Sequence, residues 1–174
     1  MLIRTATRSD MDALIALYGD VCDAMIGTPL DCLWRRGEHP SDVMIADAVC
    51  AGTLTIADDG GTVAAAVIVN GEYDASQDPG MPWIVPCSPE KMAVIHVLAS
   101  APAYRGAGVA RELLLHVIDK ARAEKMHTVR LGVALNNTPA VKLYETCGFI
   151  RICEGVRIFG GQAVPAAAFE LPLI

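Results

Sequence analysis

The chain has 174 residues, and its 14 Lys and Arg against 20 Asp and Glu give a formal net charge of −6. This length predicts one domain over residues 1–174, and the acidic balance argues against a nucleic-acid binder. Apolar residues form 53% of the chain but occur in short segments, so no membrane association is expected. Six scattered cysteines, four histidines without ligand spacing and no signal-like N-terminus predict a cytoplasmic protein with reduced thiols and no metal site.

The first part of the chain predicts a strand followed by two helices. Alternating apolar and polar residues indicate a half-buried strand over Leu2–Thr7, and Ser9 with Asp12 is typical of a helix N-cap. Apolar residues three and four positions apart continue that helix. A second helix is expected between Ser41 and Gly52.

A β-hairpin and two long loops come next in the prediction. The apolar runs Leu54–Ala57 and Val63–Val69 flank Asp58-Asp59-Gly60-Gly61, which is a strong turn signal. Residues 27–40 predict a loop or a short helix, and residues 70–91 carry turn-forming residues and predict a long surface loop. Long loops in compact domains are often functional, so these two are candidates for binding a substrate.

The apolar run Val94–Ala99 is followed by a turn at Pro102, a loop of small residues and a helix from Val109. A bare backbone at the start of a helix presents unpaired N–H groups and a partial positive charge, which suits a diphosphate. A tight turn that needs glycine only for its backbone angles is the open alternative. The small residues concerned are Gly106, Ala107, Gly108 and Ala110.

The last part predicts a strand over His127–Val133, a helix that starts at Asn136-Asn137-Thr138-Pro139 and runs to Cys147 before Gly148 stops it, and a hairpin of Phe149–Phe159 with Val164–Leu173. Pro165 suggests that the last strand lies at an edge of the sheet, because proline lacks an N–H. The order strand, two helices, three strands, helix, strand, helix, two strands predicts a mixed α/β sheet with helices on its faces.

Two motifs resemble those of one known family. Leu98–Ala110 resembles the acetyl-CoA signature [Q/R]-x-x-G-x-[G/A] of the GNAT superfamily of N-acetyltransferases, with Arg105, Gly108 and Ala110 at its defined positions. Asn137–Phe149 is similar to a later motif of that family and follows at matching spacing. A Walker loop and a Rossmann fingerprint do not fit the residues after Gly108.

The resemblance implies a GNAT-like central mixed, mostly antiparallel sheet of about seven strands, with helices on both faces and a splay between the fourth and fifth strands. It also implies acetyl-CoA as co-substrate. The groups that would bind it are the strand residues Val97, Leu98 and Ala99, the loop and helix residues Arg105, Gly106, Ala107, Gly108, Val109 and Ala110, and the later residues Asn137 and Tyr144.

Two residues are candidates for proton transfer. Tyr144 lies in the second motif and is protonated at neutral pH, so it can donate to a leaving thiolate; a core tyrosine on an apolar helix face is the alternative. His96 can accept the proton of the amine because imidazole titrates near neutrality, with a core histidine as its alternative. Strand alternation places His96 on the same side as Leu98.

The acceptor is expected to meet residues of the two long loops. Trp34 and Trp83 resemble positions of an uncharacterised bacterial GNAT subgroup, and with Tyr73 they are candidate substrate-binding residues; the tryptophans could instead bury area against the sheet. Glu72 is a further candidate, as a substrate contact or an alternative base. Gly132 stands where many relatives have a larger or acidic residue.

These patterns together predict direct transfer of an acetyl group from acetyl-CoA to a primary amine of a small-molecule or amino-acid-like acceptor. A covalent acetyl-enzyme on Cys147 is not favoured, because that residue lies on the predicted buried face of its helix. Transfer to a protein or peptide, and a non-catalytic acyl-CoA-binding module, are the alternatives. The apolar C-terminal strands over residues 158–173 also allow a homodimer.

Overall fold

The fold is a seven-stranded sheet with helices, seen in a computed structural model that describes residues 1–73, 80–159 and 161–174. The strands are β1 (Leu2–Thr5), β2 (Leu54–Asp59), β3 (Thr62–Asn70), β4 (Met92–Ser100), β5 (Thr128–Ala134), β6 (Ile150–Phe159) and β7 (Gln162–Pro172). The four α-helices of the described residues are α1 (Met11–Met25), α2 (Asp42–Cys50), α3 (Val109–Ala123) and α4 (Thr138–Thr146). Residues 74–79 of the predicted loop and Gly160 of the predicted turn lie outside the described residues.

The sheet order is β1-β2-β3-β4-β5-β7-β6, and all neighbours are antiparallel except β4 and β5. The parallel pair extends only from Met92–Thr128 to Ile95–Leu131. Beyond Leu131, β5 pairs with β7 alone, so a gap opens between the fourth and fifth strands. The mixed, mostly antiparallel sheet and its predicted splay are therefore confirmed.

Two apolar clusters cover the two faces of the sheet. Residues of α3 and α4, among them Leu113 and Tyr144, belong to one cluster, and residues of α1 and α2, among them Leu14 and Ile45, belong to the other. Helices on both faces are thus confirmed. No α-helix within the described ranges is long and apolar enough to cross a bilayer.

A capping box begins the helical segment that leads into α1, but its N-cap residue is not the predicted Ser9. The cap is Thr7, whose N–H and hydroxyl both donate to Asp10 at 2.7 and 2.9 Å, and a short 3₁₀ turn over Arg8–Asp10 precedes α1. Arg4 of β1 donates to both oxygens of Asp10 and holds the pKa of that carboxyl far below its usual range. The ion pair therefore fixes where the helical turn begins, and Ser9 is not the cap.

The predicted edge position of β7 is wrong, because β7 lies between β5 and β6. Pro165 is tolerated because the last β5 residue that pairs with β7 is Ala134, opposite Ala166. Pro165 lies one residue beyond that pair. Its one backbone hydrogen bond to the chain after β5 uses the carbonyl, which accepts from the N–H of Leu135 at 2.9 Å, so no N–H is required at this position. The edge strand on this side of the sheet is β6.

The loop between α1 and α2 lies against α1 through an ion-pair network. Arg36 binds Asp23 at 2.7 Å and Asp20 at 2.9 Å. Gly19 makes room for this contact, since a Cβ there would lie 2.0 Å from Nη1 of Arg36. The network fixes the stretch that carries Trp34 next to the sheet.

A buried ion pair joins β5, β7 and the loop before β4. Glu170 is fully buried and accepts from Arg130 Nε and from Thr128 Oγ1, both at 3.0 Å. Arg130 also donates through Nη2 to the carbonyl of Val85 at 2.6 Å. Because both charges are removed from water, loss of either partner would leave the other charge buried without its counter-ion.

Candidate active site

The small-residue loop before α3 has a bare backbone at the start of the helix. Gly106 and Gly108 have φ of +78° and +82°, which L side chains rarely adopt, and a Cβ on either would meet no described atom within 4 Å. Gly108 is the N-cap of α3 and makes no side-chain cap, so first-turn N–H groups remain available to a ligand.

This loop forms one wall of a cavity of about 550 Å³. Arg105, Gly106, Gly108, Val109 and Ala110 line it, together with Leu98 and Ala99 of β4, so most residues of the predicted signature share one surface. Ala107 is exposed and does not line this cavity. The uncapped helix start and the bare backbone fit a diphosphate, and we call this space the cofactor cavity.

Replacing Gly108 by Val is expected to raise the dissociation constant for acetyl-CoA about tenfold or more, because φ of +82° is unfavourable for a β-branched residue. Isothermal titration measures the effect. Gly52→Val is the matched control, since Gly52 has φ of +70° at the end of α2 and lies outside the cofactor cavity. Equal affinities for the two variants would contradict a binding role of the loop.

β4 contains a bulge where it passes this cavity. His96 pairs with Ile68 and Ala99 pairs with Ala66, so β4 has one residue more than β3 over this interval. Val97 has φ of +45° at the bulge. The extra residue breaks the alternation, and the expectation that His96 and Leu98 share a side is wrong.

The faces of these residues follow from their neighbours. His96 lies opposite Ile68, which belongs to the cluster beneath α1 and α2, whereas Leu98 packs on the cluster beneath α3 and α4. Leu98 therefore faces α3 and α4 while His96 faces the loop that carries Trp34. β4 therefore lines the cofactor cavity and also a second cavity on the other face of the sheet.

That second space is a cavity of about 240 Å³ in the gap between β4 and β5. We call it the acceptor cavity. It shares five lining residues with the cofactor cavity: Trp34, Leu98, Asn137, Ala140 and Tyr144. The two cavities therefore meet at the start of α4, where a group bound in one can contact a group bound in the other.

Tyr144 lies at this junction and is 5% exposed. Its ring packs edge-on against Phe149 at 5.7 Å and lies 6.3 Å from Phe169. Burial raises the pKa of Tyr144, so its hydroxyl keeps its proton at neutral pH. The ring is both a core group and a cavity wall, which accommodates both interpretations of the sequence.

His96 is held in one tautomer by Asn70. The backbone N–H of Glu72 donates to Oδ1 of Asn70 at 3.0 Å, which identifies the atom facing it as the oxygen. His96 Nε2 lies 2.9 Å from the same oxygen and must be its donor. Burial lowers the pKa of His96, with a partial opposing effect of Glu72, so the neutral ring carries its lone pair on Nδ1.

Three of the four candidate substrate-binding residues line the acceptor cavity, and the fourth does not. Trp34, Glu72 and Tyr73 line the acceptor cavity. Trp83 does not, and lies instead over the guanidinium of Arg130 at 4.3 Å. This position corresponds to the alternative in which the tryptophan packs against the sheet.

Arg157 and Phe159 of β6 also line the acceptor cavity, although neither was predicted from the sequence. Arg157 is 9% exposed. A Cβ on Gly132 would lie 3.3 Å from Cδ of Arg157 and 3.6 Å from the ring of Phe159, so the small residue at 132 makes room for both. The unusual Gly132 was the one signal in the sequence that pointed to this wall.

Two other predicted residues lie at the two ends of α4. Asn137 caps this helix by accepting from the N–H of Ala140 at 3.4 Å. Cys147 follows the last helical residue, is partly buried and packs against the cluster beneath α3 and α4, on the buried side of the helix as expected. Within residues 1–73, 80–159 and 161–174, no group of three His, Cys, Asp or Glu residues is placed to hold a metal ion.

Known proteins share parts of this sequence. Mycothiol acetyltransferase of Corynebacterium glutamicum is 36% identical over 77 residues, which are 44% of this chain and 26% of that protein. N-alpha-acetyltransferase 30 of Saccharomyces cerevisiae is 40% identical over 65 residues, 37% of each chain. The chain therefore matches well under half the length of these two relatives.

Solved structures share the whole fold at low identity. A GNAT-family acetyltransferase from Streptococcus agalactiae superposes with a TM-score of 0.80 at 17% identity, covering 98% of this chain and 94% of that one. The putative acetyltransferase yncA from Salmonella typhimurium, solved with its cofactor acetyl-CoA, gives a TM-score of 0.69 at 19% identity, covering 100% and 94%. The profile of the acetyltransferase (GNAT) family matches residues 23–149, which include β4, the small-residue loop and α4. The chain belongs to the GNAT acetyltransferase family.

Proposed function

We propose that this protein is an N-acetyltransferase that moves the acetyl group of acetyl-CoA directly to a primary amine of a small-molecule or amino-acid-like acceptor. The observation that carries the proposal is the meeting of the two cavities at Leu98, Asn137 and Tyr144. One cavity has an uncapped helix start for a diphosphate, and the other is small and walled by aromatic and polar side chains. Family membership and a neighbour solved with acetyl-CoA support the choice of co-substrate.

The bonds that change define what the residues must do. Acetyl-CoA supplies a thioester; the amine nitrogen bonds to its carbonyl carbon and the carbon–sulfur bond breaks. Tyr144 gives its hydroxyl proton to the departing sulfur, and Nδ1 of His96 takes one proton from the amine, directly or through water. Solvent returns the proton from His96 to Tyr144, so the products are an amide and the CoA thiol.

The pH dependence of kcat/KM tests His96. Only the neutral ring accepts a proton, so kcat/KM is expected to fall as the pH drops through the pKa of His96, which burial places below the ordinary histidine value. His96→Gln should remove the inflection at this pKa and lower the plateau, and only the limb that comes from protonation of the acceptor amine should stay. A variant that keeps the inflection would assign the proton to another group, with Glu72 of the same cavity as the next candidate.

An amino-acid-like acceptor is supported by the charges of the acceptor cavity. Arg157 brings a cation into its wall, and Glu72 brings an anion. A guanidinium has five N–H donors, so Arg157 can hold a carboxylate while it keeps contacts within the chain. An amine that also carries a carboxylate matches this pair of charges.

A panel of amines is the direct test of the function. Release of the CoA thiol is measured with primary amines, with the same amines bearing a carboxylate, and with a peptide amino terminus, and products are identified by mass. We expect turnover with small amines and higher kcat/KM for the carboxylate-bearing members. Preference for the peptide would favour the second candidate, protein N-acetylation, which the name of the yeast relative suggests. Binding of acetyl-CoA without release by any member would favour a non-catalytic module.

A cytoplasmic homodimer formed through the C-terminal strands is part of the same proposal. β6 is an edge strand, and its residues Ile150 and Val156 are 48% and 65% exposed. An apolar edge is suited to pairing with a second copy. Sedimentation equilibrium distinguishes monomer from dimer.

A further inference from the structure

Tyr18 of α1 contacts the backbone of β4 at its bulge. The side chain is 1% exposed, and its hydroxyl donates to the carbonyl oxygen of Val97 at 3.0 Å. Tyr18 lines neither the cofactor cavity nor the acceptor cavity. Its hydroxyl therefore reaches the two cavities through the peptide that it holds.

The peptide held by Tyr18 is conformationally unusual. Val97 has φ of +45°, which is unfavourable for a β-branched residue and persists only where surrounding contacts fix it. The regular pairs on either side, His96 with Ile68 and Ala99 with Ala66, leave the extra residue between them. A hydrogen bond from a buried hydroxyl is the kind of contact that selects this conformation.

The direction of that carbonyl also sets the direction of the next N–H. In a trans peptide the two groups point to opposite sides, so the N–H of Leu98 points away from Tyr18. β5 has already separated from β4, because their last pair is Ile95 with Leu131. Leu98 lies on the walls of both cavities.

We propose that Tyr18 is a positioning residue, which turns the peptide between Val97 and Leu98 so that the N–H of Leu98 donates to the thioester carbonyl oxygen of acetyl-CoA. This rests on the proposed function. A fixed donor at the oxygen where negative charge develops accelerates acyl transfer because it needs no reorganisation during the reaction. Tyr18 supplies that fixation from a helix on the far side of the strand.

Tyr18→Phe tests the proposal with two ligands that differ in one oxygen. S-ethyl-CoA has the length of acetyl-CoA but lacks the carbonyl, so the ratio of their dissociation constants reports the Leu98 contact. We expect the wild type to bind acetyl-CoA several-fold more tightly and the variant to lose most of this preference. With saturating acetyl-CoA, kcat of the variant should fall about tenfold or more.

Ile45→Val is the matched control, since Ile45 is 1% exposed in the same cluster as Tyr18 but belongs to α2. It should lose stability and keep both the ligand ratio and kcat. An unchanged ratio in Tyr18→Phe, or a wild type without preference, overturns the proposal. A lost preference with no turnover by the wild type on any amine would instead support Tyr18 and contradict the proposed catalysis.

If Tyr18→Phe does not fold, an NMR measurement on the wild type tests the proposal instead. The amide proton of Leu98 in the wild type should move further downfield with acetyl-CoA than with S-ethyl-CoA, because only acetyl-CoA accepts its hydrogen bond. Equal shifts would overturn the proposal.

Discussion

Tyr144→Phe is expected to lower kcat about a hundredfold or more, within the range typical for loss of a positioned proton donor. The phenyl ring fills the same space beside Phe149 and Phe169, so the fold and the dissociation constant of acetyl-CoA should stay near their wild-type values. Burial raises the pKa of Tyr144, so the hydroxyl is protonated over the working pH range. Steady-state kinetics at saturating acetyl-CoA measure the loss.

Tyr104→Phe serves as the control for removing a tyrosine hydroxyl. That hydroxyl donates to Asp59 at 2.9 Å, at the end of β2, and the ring lines only the cofactor cavity. Its loss should alter the KM for acetyl-CoA at most, with kcat close to that of the wild type. Similar kcat values for Tyr144→Phe and the wild type would show that Tyr144 acts only as a core residue.

Glu170→Ala is expected to lower the free energy of unfolding by about 3–5 kcal/mol, as when one partner of a buried ion pair is removed. The carboxylate is fully buried and the side chain of Arg130 is 6% exposed, so the variant leaves a guanidinium without its charge partner away from water. Arg130 also holds the carbonyl of Val85 and lies under Trp83, so the loop before β4 should loosen as well. Equilibrium unfolding in urea measures the change.

Asp119→Asn is the matched control, because it removes the pair of Asp119 with Arg122 on the surface of α3, where the two side chains are 76% and 56% exposed. Water screens such a pair, so little change in stability is expected. The double variant Arg130→Met/Glu170→Leu should recover much of the loss, since it buries no unpaired charge. A Glu170→Ala variant as stable as Asp119→Asn would refute the assigned role of the pair.

The sequence by itself was sufficient for features that depend on neighbouring residues. Gly106 and Gly108 mark positive φ angles, Asn137 caps the next helix, and Gly148 with φ of +91° follows its end. Such signals act within one turn, so the elements, the small-residue loop before α3 and the family resemblance could all be recognised. Tyr144 and Asn137 were identified by the same local motif, and the structure brings both to the junction of the cavities.

Only the tertiary structure decided the features that depend on distant pairing. The bulge at Val97 arises from the register between β3 and β4 and reverses the expected side of His96 relative to Leu98. Arg157 enters the acceptor cavity from β6, where its side chain lies over Gly132 of β5, and Tyr18 reaches Val97 across 79 positions of sequence. The alternation of side chains along a strand predicts which residues share a face. It does not predict which strand lies beside it or where an extra residue interrupts the pairing. These contacts are therefore determined only when the sheet assembles.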